Sequence, residues 1–164
     1  MLPARVILHP TDFSDRSDCA FELAWRLARE SDAKLIVLHV VQPPPFVTYG
    51  EMAKALQQAE GYRRELNEKL NRLRRTHADV RVECRLEDGE PAAEILAAAN
   101  EANCDLIVMG THGRTGFRRL LLGSVAEQVL RRAPCPVLTV NTPFRECRIA
   151  PAKESRGQRG VDSA

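Results

Sequence analysis

A chain of 164 residues, 44% hydrophobic and 28% charged, has the length and apolar content for one globular domain with a real core. Its net charge of +2 resides in residues 142–164, which leaves nineteen basic and nineteen acidic residues in the first 141. That neutral body lacks the basic stripe that general nucleic-acid binding needs. Apolar runs such as residues 35–41 fall far short of the about 20 residues of a spanning helix, so no membrane partner is expected. The first residues enter a strand-like run directly, without the long apolar stretch of a signal peptide. Five scattered cysteines with no C-x-x-C pair suggest neither a disulfide framework nor a zinc site, and a cytoplasmic protein is expected. Cys84 and Cys104, in apolar runs, read as small core residues. Aromatics make up only 5%, so the core must be aliphatic, as suits helices on a parallel sheet.

Along the chain, β-rich runs alternate with helical patterns. A strand over 5–9 leads to a helix over 15–30 with Ala20, Leu23, Ala24, Leu27 and Ala28 on one face. A second strand covers 34–41 and is stopped by Pro43-Pro44-Pro45. The long second helix, 51–76, carries Met52, Leu56, Ala59, Leu66, Leu70 and Leu73 as a stripe expected to pack on the sheet. Its arginine clusters sit beside glutamates and read as a solvated face. A third strand over 79–86 and a helix over 90–102, with Pro91 in its first turn, come next. A strand over 105–109, a glycine-containing loop, a helix over 124–132 and a strand over 136–140 complete the pattern. Residues 1–141 thus form the domain, and 142–164, aperiodic and charged, are expected to be a disordered tail. The fold class is α/β: a single-domain, open, five-stranded parallel sheet with helices on both faces. Its expected strand order is 3-2-1-4-5.

Ligands bind such sheets at the carboxyl ends of the strands where the winding reverses. Two polar loops would meet there: Pro10-Thr11-Asp12-Phe13-Ser14 after the first strand, and Gly110 to Ser124 after the fourth. Glycines let a backbone approach a phosphate and adopt positive φ, and a helix beginning at Ser124 offers free N–H groups and a favourable dipole. Ser124-Val125-Ala126-Glu127 also reads as a capping box, in which the serine caps its helix; the two roles can share one helix end. Capping of the first helix is the alternative reading of Asp12. Walker and G-x-G-x-x-G signatures are absent. His39, inside the second strand, reads as a packed, hydrogen-bonded residue. His112 faces either phosphate or solvent, and the four histidines form no metal-ligand pattern.

ILHPTDFS, LIVLHVV and DLIVMGTHGRTGFRRLLLGSVAEQVLRRAPCPVLTV together resemble the universal stress protein family over residues 5–140. Gly110, Gly113, Gly123 and Ser124 match that family's G-x2-G-x9-G-[ST] pattern, which marks its ATP-binding branch. The resemblance implies an adenine-nucleotide alpha-hydrolase-like fold and ATP, with Mg²⁺ held by the phosphates. Pro10, Thr11 and Asp12 would border the nucleotide, with Asp12 near the ribose or a phosphate-bound ion. Val40 would offer backbone groups to the adenine edge. Met109, Gly110, Gly113 and Arg114 would flank ribose and phosphates, and Gly123, Ser124 and Val125 would receive the outer phosphates. It also implies a homodimer joined through the last strand, 136–140, an edge that otherwise stands unpaired.

Phosphoryl transfer needs more than binding, and no convincing base accompanies the candidate charge stabilisers Arg114 and Arg118. The expectation is a nucleotide-dependent stress regulator with no catalytic residue. The alternatives are a slow ATPase or nucleotide-dependent transferase, or a module for another adenine nucleotide such as cyclic AMP.

Overall fold

The computed structural model describes residues 4–42, 52–111 and 123–141, with side chains from residue 58 onward in the second helix. Nine elements follow in order: β1 (Val6–Pro10), α1 (Asp15–Ser31), β2 (Lys34–Val41), α2 (Met52–Thr76), β3 (Arg81–Asp88), α3 (Pro91–Glu101), β4 (Leu106–Gly110), α4 (Ser124–Arg132) and β5 (Val137–Val140). The strands form one sheet of order β3-β2-β1-β4-β5, every neighbouring pair parallel. The expected order is therefore observed. The tail, 142–164, lies outside the described residues.

Helices bury both faces of the sheet, which is why its central strands are apolar without alternation. On one face Leu8, Ile36, Leu38, Ile107 and Met109 pack with Ile95 of α3 and Val129 of α4. On the other, Ile7, Leu35, Val37 and Val108 pack with Phe21 of α1 and Leu70 of α2. Ala20, Ala24 and Ala28 are fully buried, so α1 meets the sheet through methyl groups. Ser14 caps that helix by accepting from the Ser17 N–H at 3.3 Å, and Asp32 closes it in the left-handed region at φ 51°.

β3 starts two residues later than the sequence pattern suggests. Asp79 is engaged by the Trp25 indole N–H at 3.1 Å, and the Val80 N–H donates to the His77 carbonyl at 3.2 Å, so a turn occupies those positions. As an edge strand, β3 shows a charged row: Lys34 and Arg85 both pair with Glu83, and Arg85 reaches Glu101 at 3.2 Å.

The second helix packs on the sheet over only part of its length. Leu66 and Leu70 are buried and Leu73 partly so, whereas Ala59 is exposed; the side chains of Met52 and Leu56 lie outside those described. Length explains this. Twenty-five helical residues extend about 37 Å, against about 26 Å for the eight residues of β3. The amino-terminal turns of α2 therefore overhang the carboxyl end of the sheet.

Gly61 sits in that overhang, and a methyl group added to it would meet no atom within 4 Å. Replacing it with alanine removes backbone entropy from the unfolded chain without a clash. Gly61→Ala should stabilise the protein by about 0.5–1 kcal/mol in urea unfolding, seen as a higher midpoint at constant slope.

Candidate functional site

β1 is bonded to β2 on one side and β4 on the other, so the winding reverses between β1 and β4. The chain leaving β1 turns at once into a fixed polar loop. Thr11 donates its N–H to the Leu38 carbonyl at 2.8 Å, and its own carbonyl accepts from His39 Nδ1 at 2.7 Å. A carbonyl only accepts, so Nδ1 carries the proton. The Thr11 hydroxyl accepts from the Phe13 N–H at 3.1 Å and from the Ser17 hydroxyl at 2.9 Å.

Asp12 does not cap α1, since Ser14 does. One carboxylate oxygen, Oδ1, accepts from the Ser14 N–H at 3.0 Å and its hydroxyl at 2.6 Å. The other, Oδ2, is buried with no hydrogen-bond partner among the described residues. An orphaned buried oxygen costs about 1–3 kcal/mol, which a bound hydroxyl or a metal-held water would relieve.

Across the reversal, the Gly123 N–H donates to the Thr111 carbonyl at 2.5 Å, which brings the two ends of the 112–122 segment together. Thr111 in turn donates its N–H to the Val140 carbonyl at 3.1 Å, and its hydroxyl bonds Asn141 Oδ1 at 3.2 Å. Gly123, not Ser124, is the N-cap of α4, with no side-chain cap bond. The capping box is therefore absent: Ser124 is the first helical residue, and Glu127 pairs one turn on with Arg131 at 2.9 Å. The first-turn N–H groups of α4 have no acceptor within the helix.

The role expected for glycine also changes. Gly123 has φ −70°, and Gly110 is not among the positive-φ residues. A methyl on Gly110 would stand 3.4 Å from the backbone carbon and oxygen of Arg16, so this glycine admits the first turn of α1 against β4.

Both loops border one cavity of about 530 Å³, a size typical of small-molecule sites. Pro10, Thr11, Asp12, Gly110, Gly123 and Ser124 line its polar end, while Val40, Met109 and Val125 belong to its apolar part. Nine of the eleven expected residues thus meet there; Gly113 and Arg114 lie outside the described residues, as do His112 and Arg118. The sequence missed Thr111, Gln42, Tyr62, Pro91 and Ile95. Thr111 could have been found from its place inside the glycine motif.

His39 and His9 are structural. His39 is buried and hydrogen-bonded, packed 4.8 Å from the Phe13 ring. His9 is fully buried, its Nδ1 donating to the Val108 carbonyl at 2.9 Å and its ring meeting Phe21 edge-on. Burial lowers its pKa to about 4. Cys104 is buried, its thiol pushed up to about 11 by burial. Cys84 is half-buried, and its thiol donates to the Leu70 carbonyl at 3.3 Å. Among the described residues no cluster of His, Cys, Asp or Glu could hold a metal by itself, and no helix is long and apolar enough to cross a membrane.

A profile of the Universal stress protein family matches residues 3–141. A universal stress protein of Methanocaldococcus jannaschii is 39% identical over 142 residues, covering 85% of this chain and 84% of that one. Among solved structures, UspA of Lactobacillus plantarum superposes with a TM-score of 0.76 at 25% identity, over 83% of this chain and 97% of that one. A universal stress protein solved in complex with cAMP superposes with a TM-score of 0.59 at 28% identity, over 85% and 98%.

Neutral, buried His9 sets an acid limit. Its folded pKa lies below the unfolded value of 6.5, so between these values only the unfolded chain takes the proton, and stability is lost as pH falls from about 6.5 to about 4. The loss should total about 3 kcal/mol by urea unfolding. Asp18, raised by burial and by Asp15, acts in the opposite sense, so the His9 ring carbon resonance should be followed by NMR; it should not titrate above pH 5.

Proposed function

This chain belongs to the universal stress protein family, and from that premise we propose that it is a cytoplasmic ATP-binding regulator whose conformation or partner choice follows nucleotide occupancy. The observation that carries this reading is the shared cleft, where Asp12 Oδ2 lacks a partner and the α4 amino terminus lacks a side-chain cap. A ribose hydroxyl donating to Oδ2 satisfies the orphan. The N–H groups of Ser124 and Val125, with the helix dipole, receive phosphate oxygens. Val40 presents backbone groups to the adenine edge, and Gly113 and Arg114 complete the phosphate end. Mg²⁺ rides on the phosphates, with Asp12 able to accept from one of its waters.

The reading stops at binding. His9 lies in the sheet interior, and His39, which lines the cleft, is buried with its Nδ1 donating to the Thr11 carbonyl. A second reading, cyclic AMP, draws on the 28% identical structure solved with that ligand.

Calorimetric titration with ATP, ADP, AMP and cyclic AMP, with and without Mg²⁺, tests both. ATP with Mg²⁺ should bind most tightly, without phosphate release, and Ser124→Leu or Gly113→Val should weaken it at least about tenfold, or 1.4 kcal/mol. Tighter binding of cyclic AMP would transfer the site to the second reading.

Two copies pair antiparallel along β5 in this proposal. β5 is a sheet edge, and Leu138 on it and Leu130 on α4 are 39% and 41% exposed, apolar surface that a second chain would cover. Light scattering at micromolar concentration should give twice the chain mass, and Leu138→Lys should give the monomer.

A further inference from the structure

One side chain that lines the cleft comes from α2. Tyr62 is 42% exposed and lines the cavity together with Val40, Val41, Gln42, Pro91 and Ile95. It stands four residues before Leu66 and eight before Leu70, hence on the same helix face as these two buried leucines. Leu66 and Leu70 are buried, and Leu70 packs with Leu35 and Val37 of β2. Tyr62 continues their stripe past the point where the strands have ended, so the ring has the cleft beneath it instead of a strand. Next to Tyr62, Arg63 Nη1 reaches both carboxylate oxygens of Asp88 at the end of β3, and within the packed part of α2 the Lys69 ammonium lies 5.7 Å above the Phe13 ring in the β1 loop.

Resting on the nucleotide reading, we infer that Tyr62 is a specificity-determining residue that covers the nucleobase and selects for a planar aromatic group at this end of the cleft. The polar end contributes hydroxyls, backbone N–H groups and a helix terminus, which suit sugar and phosphate. Val40, Val41, Pro91 and Ile95 supply the cleft with aliphatic surface beside the Tyr62 ring, and an aromatic ring with aliphatic surface can sandwich a flat heterocycle. An exposed tyrosine over an open apolar floor gains from such a ligand by stacking, which tolerates different bases because every base has a π-face.

The test compares wild type with Tyr62→Ala, Tyr62→Leu and Tyr62→Phe by calorimetric titration of ATP and AMP, alongside each apo protein's thermal midpoint. Tyr62→Ala and Tyr62→Leu should weaken ATP and AMP by the same factor, about tenfold, since both ligands carry the base. Tyr62→Phe should stay within about twofold of wild type, and the midpoints should not move, because the side chain supports no core. ATP binding by Tyr62→Ala at wild-type strength overturns the role of Tyr62 and leaves the nucleotide reading standing. A weakening by Tyr62→Phe as large as that by Tyr62→Ala, or one seen with ATP but not AMP, also overturns it. Absence of ATP and AMP binding by wild type overturns both.

Discussion

The position of β1, hydrogen-bonded to β2 through five residue pairs and to β4 on its other edge, is the constraint on which the rest depends. Because the chain winds outward from β1 in both directions, the loops leaving β1 and β4 cannot be filled by a crossover helix from either side. A gap opens between them, and the backbone must satisfy its polar groups there without a neighbouring strand. The Thr11, Asp12 and Ser14 bonds do this on one bank and the Gly123 to Thr111 bond on the other. One carboxylate oxygen, Asp12 Oδ2, is left over, which ties the site's chemistry to the fold's topology.

Thr111 joins two parts of the molecule that are distant in sequence. Its carbonyl accepts from the Gly123 N–H, while its N–H and hydroxyl hold the end of β5 at Val140 and Asn141. The edge strand and the cleft therefore share one residue.

Much of the fold was legible because buried parallel strands leave unbroken aliphatic runs, as in residues 35–38, and because Pro10 and Pro91 punctuate the elements. The two loops were legible because glycine and small hydroxyl residues gather where strands end. Local chemistry was less secure. Ser-x-x-Glu suggested a capping box at Ser124, yet the strand-to-helix turn placed Gly123 at the cap and turned Glu127 toward Arg131. Glycine at 110 suggested positive φ, and instead it makes room for Arg16. Tyr62 was invisible because a periodic stripe says which face of a helix is apolar, not where the surface beneath it stops. That required comparing the length of α2 with that of β3.

The same mismatch of lengths divides α2 into two mechanical regimes. From Leu66 to Leu73 the helix opens only when core contacts break with it. Upstream, among the described side chains, Arg63 pairs with Asp88, and Gly61, the poorest helix former in α2, stands just before Tyr62. Amide protection should therefore fall by a step near Gly61, and a base seated under Tyr62 would extend the protected stretch upstream. A ligand seated there would order the overhang, and the free energy spent on that ordering would be subtracted from the affinity.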